Sequence, residues 1–330
     1  MAKKSSSLTG LLAVDKPGLP FDWQEAGRPA DAYDLPTSHD VVQRVRRLSG
    51  QRRIGHTGTL DPMASGVLVL CLGQATRLVE YYQGHAKRYL AEVTLGAATD
   101  TYDALGQIIA ARPVPFLTQK NLEEVLDAFR GEISQQPPIF SALKQGGESL
   151  HRKARRGESV EVEARPITIH DLTLVDWIKP NRLRIRVHGS AGTYVRSLAH
   201  DLGEALGTAA HLSGLRREAA GEIALADAYT LDQLEAEAPT FDEQLRPPGW
   251  ALSLPVRELD DEAIRRLGFG QQVCLPHETT AAESDVLRES DAALAQGMDA
   301  NGSFAGIMRR LAACDDGSAL WKAEKWFAGG

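Results

Sequence analysis

Residues 55–66 read Gly-His-Thr-Gly-Thr-Leu-Asp-Pro-Met-Ala-Ser-Gly, and residues 67–72 continue Val-Leu-Val-Leu-Cys-Leu. Gly55, Gly58 and Gly66 permit positive φ and the close approach of another backbone. Pro62 turns Asp61 away from helical geometry. Asp61 then has two readings: an Asx-turn in which it bonds its own backbone, or a carboxylate presented at a strand edge. No Gly-Lys-Ser/Thr follows, so the loop is not a phosphate-binding P-loop. Val67–Leu72 is apolar without a break and reads as a buried strand.

Working outward, Leu11–Val14 is a short strand running into the turn Asp15-Lys16-Pro17-Gly18. Residues 19–36 are polar and acidic with three prolines, and read as a loop. Thr37 or Ser38 caps a helix with Val41, Val42, Val45 and Leu48 on one face, ended by Gly50. Downstream the pattern predicts a helix at Ala75–Tyr82 and a strand at Arg88–Leu95. That strand puts Tyr89, Ala91, Val93 and Leu95 on one side. Further helices are expected at Leu117–Phe129, Leu150–Arg156 and Tyr194–Leu206. Further strands are expected at Val160–Val162, Ile167–Trp177 and Leu183–Val187. Helices and strands mix without strict βαβ alternation, which implies an α+β fold. Residues 238–250 read as a linker. Beyond it a short helix near Asp261–Leu267 and strands near Val273, Ala305–Met308 and Trp321–Phe327 suggest a small β-rich domain.

The 330 residues are 43% hydrophobic and 25% charged, an ordinary globular composition for about two domains. No apolar run approaches the ~20 residues of a membrane span. The start, Met1–Gly10, lacks an apolar core and reads as a solvated tail rather than a secretory signal. Cys71, Cys274 and Cys314 are odd in number, far apart and without CxxC spacing, so reduced thiols, no zinc and a cytoplasmic location are expected. Net charge is −7, but residues 1–220 hold 28 Lys and Arg against 24 Asp and Glu, and residues 221–330 hold 9 against 20. A polyanion is expected on the first two thirds. Two basic clusters lie there: Arg44, Arg46, Arg47, Arg52 and Arg53, then Arg152, Lys153, Arg155 and Arg156. A solvated helix face is the plain alternative for each.

The stretch Gly55–Leu78 resembles the signature of the TruB-type tRNA pseudouridine synthases, a family that includes the dyskerin-like enzymes. Further blocks agree in order: Lys16-Pro17, Thr37–Asp40, Lys87-Arg88-Tyr89, Thr99–Asp103, Ser141–Lys144, Gly192–Leu198, Asp201–Gly203 and Leu215–Arg217. The likeness covers roughly residues 11–221. Residues 19–36 are an insertion relative to the family, and Leu105, Phe140 and His151 depart from its usual residues. The resemblance implies a mixed, largely antiparallel sheet with flanking helices over residues 1–245, and a PUA-like domain at 250–330. It also implies isomerisation of uridine 55 in the TΨC loop of tRNA, carried out by a monomer.

That reaction breaks the N1–C1′ bond, turns the base and rejoins it through C5. It is redox-neutral and uses no nucleotide triphosphate, so no cofactor and no metal are expected. It calls for an ionised carboxylate at C1′. The resemblance gives this role to Asp61. Burial disfavours a bare carboxylate, and a guanidinium beside it offsets that cost; by family match the partner is Arg196. The uridine must leave its stack, and an aromatic face replaces the lost contact; Tyr89 has the matching position. Tyr194 and Leu215 are expected to wall the pocket, Lys16 to reach the pocket or a phosphate, and His56 to touch the displaced nucleotide. Arg52, Arg53, Arg152, Lys153, Arg155 and Arg156 are expected to grip RNA phosphates. Two other readings stand beside this one: a chaperone that holds the tRNA elbow without chemistry, and a nucleoside glycosidase. The second wants another acid at a suitable distance, and none stands out in these blocks.

Overall fold

The computed structural model describes residues 8–141, 144, 145, 148, 149, 156, 162–178, 180–276 and 293–328. The expected helix Leu150–Arg156 and strand Val160–Val162 fall outside these residues, apart from Arg156 and Val162. So do Arg152, Lys153, Arg155 and the first seven residues.

The apolar runs build the centre of a ten-stranded mixed sheet. Its main path runs Tyr229–Thr230, Gly10–Lys16, Ser65–Leu72, Ala210–Ala220, Lys87–Leu95, Arg182–Gly189, Arg165–Ile178 and Gly131–Gln135. Ile54–His56 pairs on Ser65–Leu72, and Ile223–Ala224 on Ala210–Ala220. All pairings in this sheet are antiparallel except two: Gly10–Lys16 with Tyr229–Thr230, and Ser65–Leu72 with Ala210–Ala220. The expected α+β class and largely antiparallel sheet are what the chain adopts.

Ser65–Leu72 is continuously apolar because both of its faces are covered. Leu68, Leu70 and Leu72 enter one core cluster with Val41, Val42 and Val45 of helix Ser38–Ser49 and Leu198 and Leu202 of helix Val195–Ala205. Val67, Val69 and Cys71 enter another with Tyr82, Leu252 and Ile307. Helix Ser38–Ser49 starts on a Thr37–Asp40 capping box and stops at Gly50 in the left-handed region. In Lys87–Leu95 the alternation holds: Tyr89, Ala91, Val93 and Leu95 all face the first cluster.

The second sheet runs Val256–Glu258, Leu294–Met298, Phe304–Ala313, Ala319–Trp326 and Val273–Leu275, with helix Asp261–Gly268 against it. Two expectations are corrected here. Cys274 and Cys314 are not separate thiols: strand pairing brings them together as a disulfide, with Cα atoms 6.4 Å apart, and only Cys71 is free. Residues 238–250 are not a free linker. Ala238–Gln244 forms a 3₁₀ helix with Phe241 buried, and Arg246 exchanges two 2.8 Å backbone bonds with Leu11. Among the described residues no helix is long and apolar enough to cross a membrane.

Gly66 ends the Asp61 loop at φ +104°, and a Cβ there would sit 2.2 Å from the backbone oxygen of Arg217. Gly192 also has positive φ, but nothing lies within 4 Å of its Cβ position. Gly66→Ala is therefore expected to lose several kcal/mol, and Gly192→Ala about 1 kcal/mol. Urea unfolding of both variants checks this; equal losses would show that the strand contact at Gly66 yields freely.

Candidate active site

The loop from Thr57 to Ala64 is held from three sides by donors bonded to its own carbonyls. Ser38 Oγ, at the start of the first helix, donates to Leu60 O at 2.9 Å and accepts from Leu60 N at 2.8 Å. Arg217 donates to Gly58 O, Thr59 O and Val67 O at 3.0, 3.4 and 2.6 Å. Lys16 Nζ donates to Pro17 O, Pro62 O and Ala64 O at 2.8, 2.9 and 2.7 Å. The Lys16 side chain is completely buried and does not line the Asp61 cavity. The expectation that Lys16 reaches the pocket or a phosphate is thus corrected. All three donor directions of its ammonium are taken by carbonyls, so it fixes the loop.

The backbone carbonyl of Asp61 closes the turn by accepting from Ala64 N at 3.0 Å. Its carboxylate is left for another partner, which decides between the two readings of Asp61. Arg196 Nε lies 2.9 Å from Oδ2 and Arg196 Nη2 lies 3.2 Å from Oδ1, a bidentate pair. The guanidinium is only 6% exposed, and the Asp61 side chain 33%. Helix Val195–Ala205 supplies Arg196 on its first turn, so the pair joins that helix to the loop. Arg196 also donates to Thr101 O at 3.1 Å and Phe140 O at 3.0 Å.

A second carboxylate stands behind the guanidinium: Asp103 Oδ2 lies 3.7 Å from Arg196 Nη1. Burial pushes the Asp103 carboxyl above the usual range, and Arg196 and the Thr101 hydrogen bond oppose it. Asp103 does not line the cavity. The sequence offered it only within the block Thr99–Asp103, with nothing to mark its place beside Arg196.

Asp61, Arg196, Tyr89, Tyr194 and Leu215 all open onto one cavity of about 470 Å³. Tyr89 sits beside Arg217 in the strand register, and Leu215 beside Ala91, so the floor comes from two adjacent strands. Burial raises the Tyr194 phenol pKa, against a hydrogen bond from Ser141. His56 lies one residue outside the lining; burial and the Arg217 charge lower its pKa, favouring the neutral ring at pH 7. Lys87 and Arg217 line the cavity as well. Both lie in blocks that carried the resemblance, yet neither stood out as a site residue.

The basic clusters divide. Arg44 is paired with Glu235 at 2.5 Å, and Arg46 donates to Ile54 O at 3.4 Å. Arg47, Arg52, Arg53 and Arg156 are exposed.

Lys16 is depressed to about 8 by burial, which Asp61 partly opposes. Between about pH 8 and 10.5 the unfolded chain holds a proton that the folded chain releases. The lysine therefore adds stability as pH rises through that window and loses the gain as pH falls through 8. Lys16→Met leaves three buried carbonyls without donors and is expected to cost about 2–4 kcal/mol at neutral pH. The stability gap between wild type and variant should widen from pH 8 to pH 10, read by urea unfolding at each pH.

Residues 46–195 match the model of the TruB family pseudouridylate synthase N-terminal domain, and residues 196–259 match the tRNA pseudouridylate synthase B C-terminal domain. Among curated relatives, tRNA pseudouridine synthase B of Geobacillus kaustophilus is 47% identical over 249 residues, covering 73% of this chain and 87% of that protein. The protein of the same name from Haemophilus influenzae is 44% identical over 248 residues, covering 73% and 79%. Among solved structures, a Cbf5-Nop10-Gar1 complex contains a chain similar at TM-score 0.70 and 24% identity, covering 99% of this chain and 87% of that one. That last likeness speaks to the fold.

Proposed function

This chain belongs to the TruB family of tRNA pseudouridine synthases, and from that premise we propose that it isomerises uridine 55 in the TΨC loop of tRNA with Asp61 at the reacting sugar. The observation that carries this reading is the bidentate Asp61–Arg196 pair at the wall of the cavity. Arg196 offsets the cost of holding a carboxylate in a partly closed site and fixes its direction. A carboxylate so held faces C1′ as positive charge develops there, or attacks it.

The flipped uracil stacks on the Tyr89 ring against Leu215, and Tyr194 closes the side. In this reading the Tyr89 hydroxyl is the base toward the sugar, passing its own proton to solvent as it takes the sugar's, which accounts for tyrosine rather than phenylalanine. His56, neutral and just beyond the lining, meets the nucleotides displaced with the uridine. The exposed Arg47, Arg52 and Arg53 offer contacts to the RNA backbone outside the cavity, and they position rather than read it. The chain works as a monomer without a cofactor; the ground for a cytoplasmic location is its tRNA substrate, since the Cys274–Cys314 disulfide removes the argument from reduced thiols.

Hydrolysis of a nucleoside is the competing chemistry. It needs a second acid able to activate water in the cavity. Among the described lining residues Asp61 is the one carboxylate, and Asp103 lies behind Arg196. A site with one open carboxylate favours return of the same base to the same sugar.

The test uses an unmodified tRNA transcript and the mass shift of pseudouridine after carbodiimide treatment. Wild type should place one pseudouridine at position 55. Asp61→Asn should bind the tRNA and lose at least about 10³-fold in rate, as removal of a group acting in the transition state does. Equal product from both proteins overturns the role of Asp61, and free uracil in place of pseudouridine overturns the isomerase reading.

A further inference from the structure

Beyond Tyr89 and Leu215 the cavity wall continues to two cations that, among the described residues, no carboxylate pairs with. Lys87 lies two residues before Tyr89 on one strand, and Arg217 two residues after Leu215 on the next. Arg217 pairs with Tyr89 in register. All four line the cavity. Lys87 is 7% exposed and Arg217 only 2%.

Both cations are bonded to neutral oxygens. Lys87 Nζ donates to Gln83 O and His85 O, each at 2.6 Å. Arg217 donates through Nε, Nη1 and Nη2 to three carbonyls of the Asp61 loop and its strand. Among the described residues no carboxylate forms an ion pair with either. An ammonium has three donors and a guanidinium five, so among the described residues one N–H of Lys87 and two of Arg217 remain. The two side chains meet over Gly58: its Cβ position would lie 3.7 Å from Arg217 Nη1 and 3.8 Å from Lys87 Cε. Gly58 stands three residues before Asp61. Two buried positive charges side by side repel each other, and burial with the Arg217 charge lowers Lys87 to about 8. Such an arrangement is stable when an anion is brought between the two.

We propose that Lys87 and Arg217 together seat one backbone phosphate of the RNA, a phosphodiester flanking the uridine whose ring lies on Tyr89. This rests on the reading of the cavity as a uridine-isomerising site. The spacing suits it. One alternation along a strand is about 6.6 Å, close to the reach from a nucleotide's base to its own phosphate. The phosphate then sits on the cationic side of Gly58 while the sugar meets Asp61 three residues on, and the two negative groups are kept apart. Contact with a part of the substrate that does not react holds the sugar in register with the carboxylate. Free uridine, which lacks the phosphate, gains none of this.

The test measures binding of a TΨC stem-loop RNA to full-length Asp61→Asn protein. Each of the two phosphates flanking the target uridine is replaced singly by an uncharged methylphosphonate. One of the two replacements should weaken binding at least tenfold. In proteins that also carry Lys87→Met or Arg217→Gln, native RNA should bind as weakly, the same replacement should cost less than threefold more, and the slope of log Kd against log salt should fall by about 0.7–0.9. Penalties below twofold at both linkages overturn the proposal. That arm uses protein with both cations intact, so it decides even where a cation variant fails to fold. Pseudouridine formation by wild type on the native stem-loop is run alongside. Its absence counts against the isomerase reading, while the binding arm still reports on the phosphate.

Discussion

One guanidinium holds the site together. Arg196 is bonded to the Asp61 carboxylate, to the carbonyls of Thr101 and Phe140, and lies 3.7 Å from Asp103. Three segments distant in sequence therefore converge on a side chain that is 6% exposed. Removing it would leave two carboxylates and two carbonyls without their shared donor, and a buried charge stripped of its partner is among the costliest single defects. Asp103 has a clear part in this balance. A lone arginine between one carboxylate and solvent could swing; an arginine bonded on both sides is fixed, and so is the direction in which Asp61 points.

The carboxylate is only as well placed as the loop that bears it. That loop has few backbone partners of its own, and its carbonyls are satisfied by Ser38, Lys16 and Arg217. Side-chain donors from three different elements make the loop a product of the tertiary fold. The half-buried Asp61 carboxylate spends both oxygens on Arg196 rather than on an Asx-turn with its own backbone.

How much was legible in the sequence follows from where the period stays regular. Helix Ser38–Ser49 carries its cap, its apolar face and its stop signal in order, and strand Lys87–Leu95 alternates cleanly, so both could be read. Strand Ala210–Ala220 could not, although it supplies Leu215 and Arg217. It contains register shifts between Leu212 and Gly214 and between Arg217 and Ala219, and each bulge reverses the alternation. It also buries His211, Ser213 and Arg217, residue types that read as surface. Lys16 misled for the same reason: a lysine in a turn suggests solvent or phosphate, and only the fold shows three carbonyls converging on it. The disulfide escaped because Cys274 and Cys314 are 40 residues apart and meet only through strand order. Asp61, Tyr89, Tyr194, Arg196 and Leu215 were named from the resemblance, and periodicity alone would have left Tyr89 as one more core aromatic.

Residues 19–36 show how a long loop can leave beside the site without loosening it. It leaves the turn directly after Lys16, where any play would pass to the Asp61 loop. The first bond beyond the turn removes that play: Leu19 N donates to Met63 O at 2.9 Å, next to the carbonyls that Lys16 holds. The segment then fastens to the sheet away from the cavity. Trp23 Nε1 donates to Ser213 O at 2.9 Å, the Phe21 ring lies under Arg184, and Glu25 pairs with Arg182. Arg182 and Arg184 also hold Glu92, which is fully buried, at 3.5 and 3.0 Å. This loop thus joins an ion-pair network of the sheet's own. The entropy of a long surface connection grows slowly with its length, so a few anchors at its start are enough to keep the motion of its exposed half out of the loop that carries Asp61.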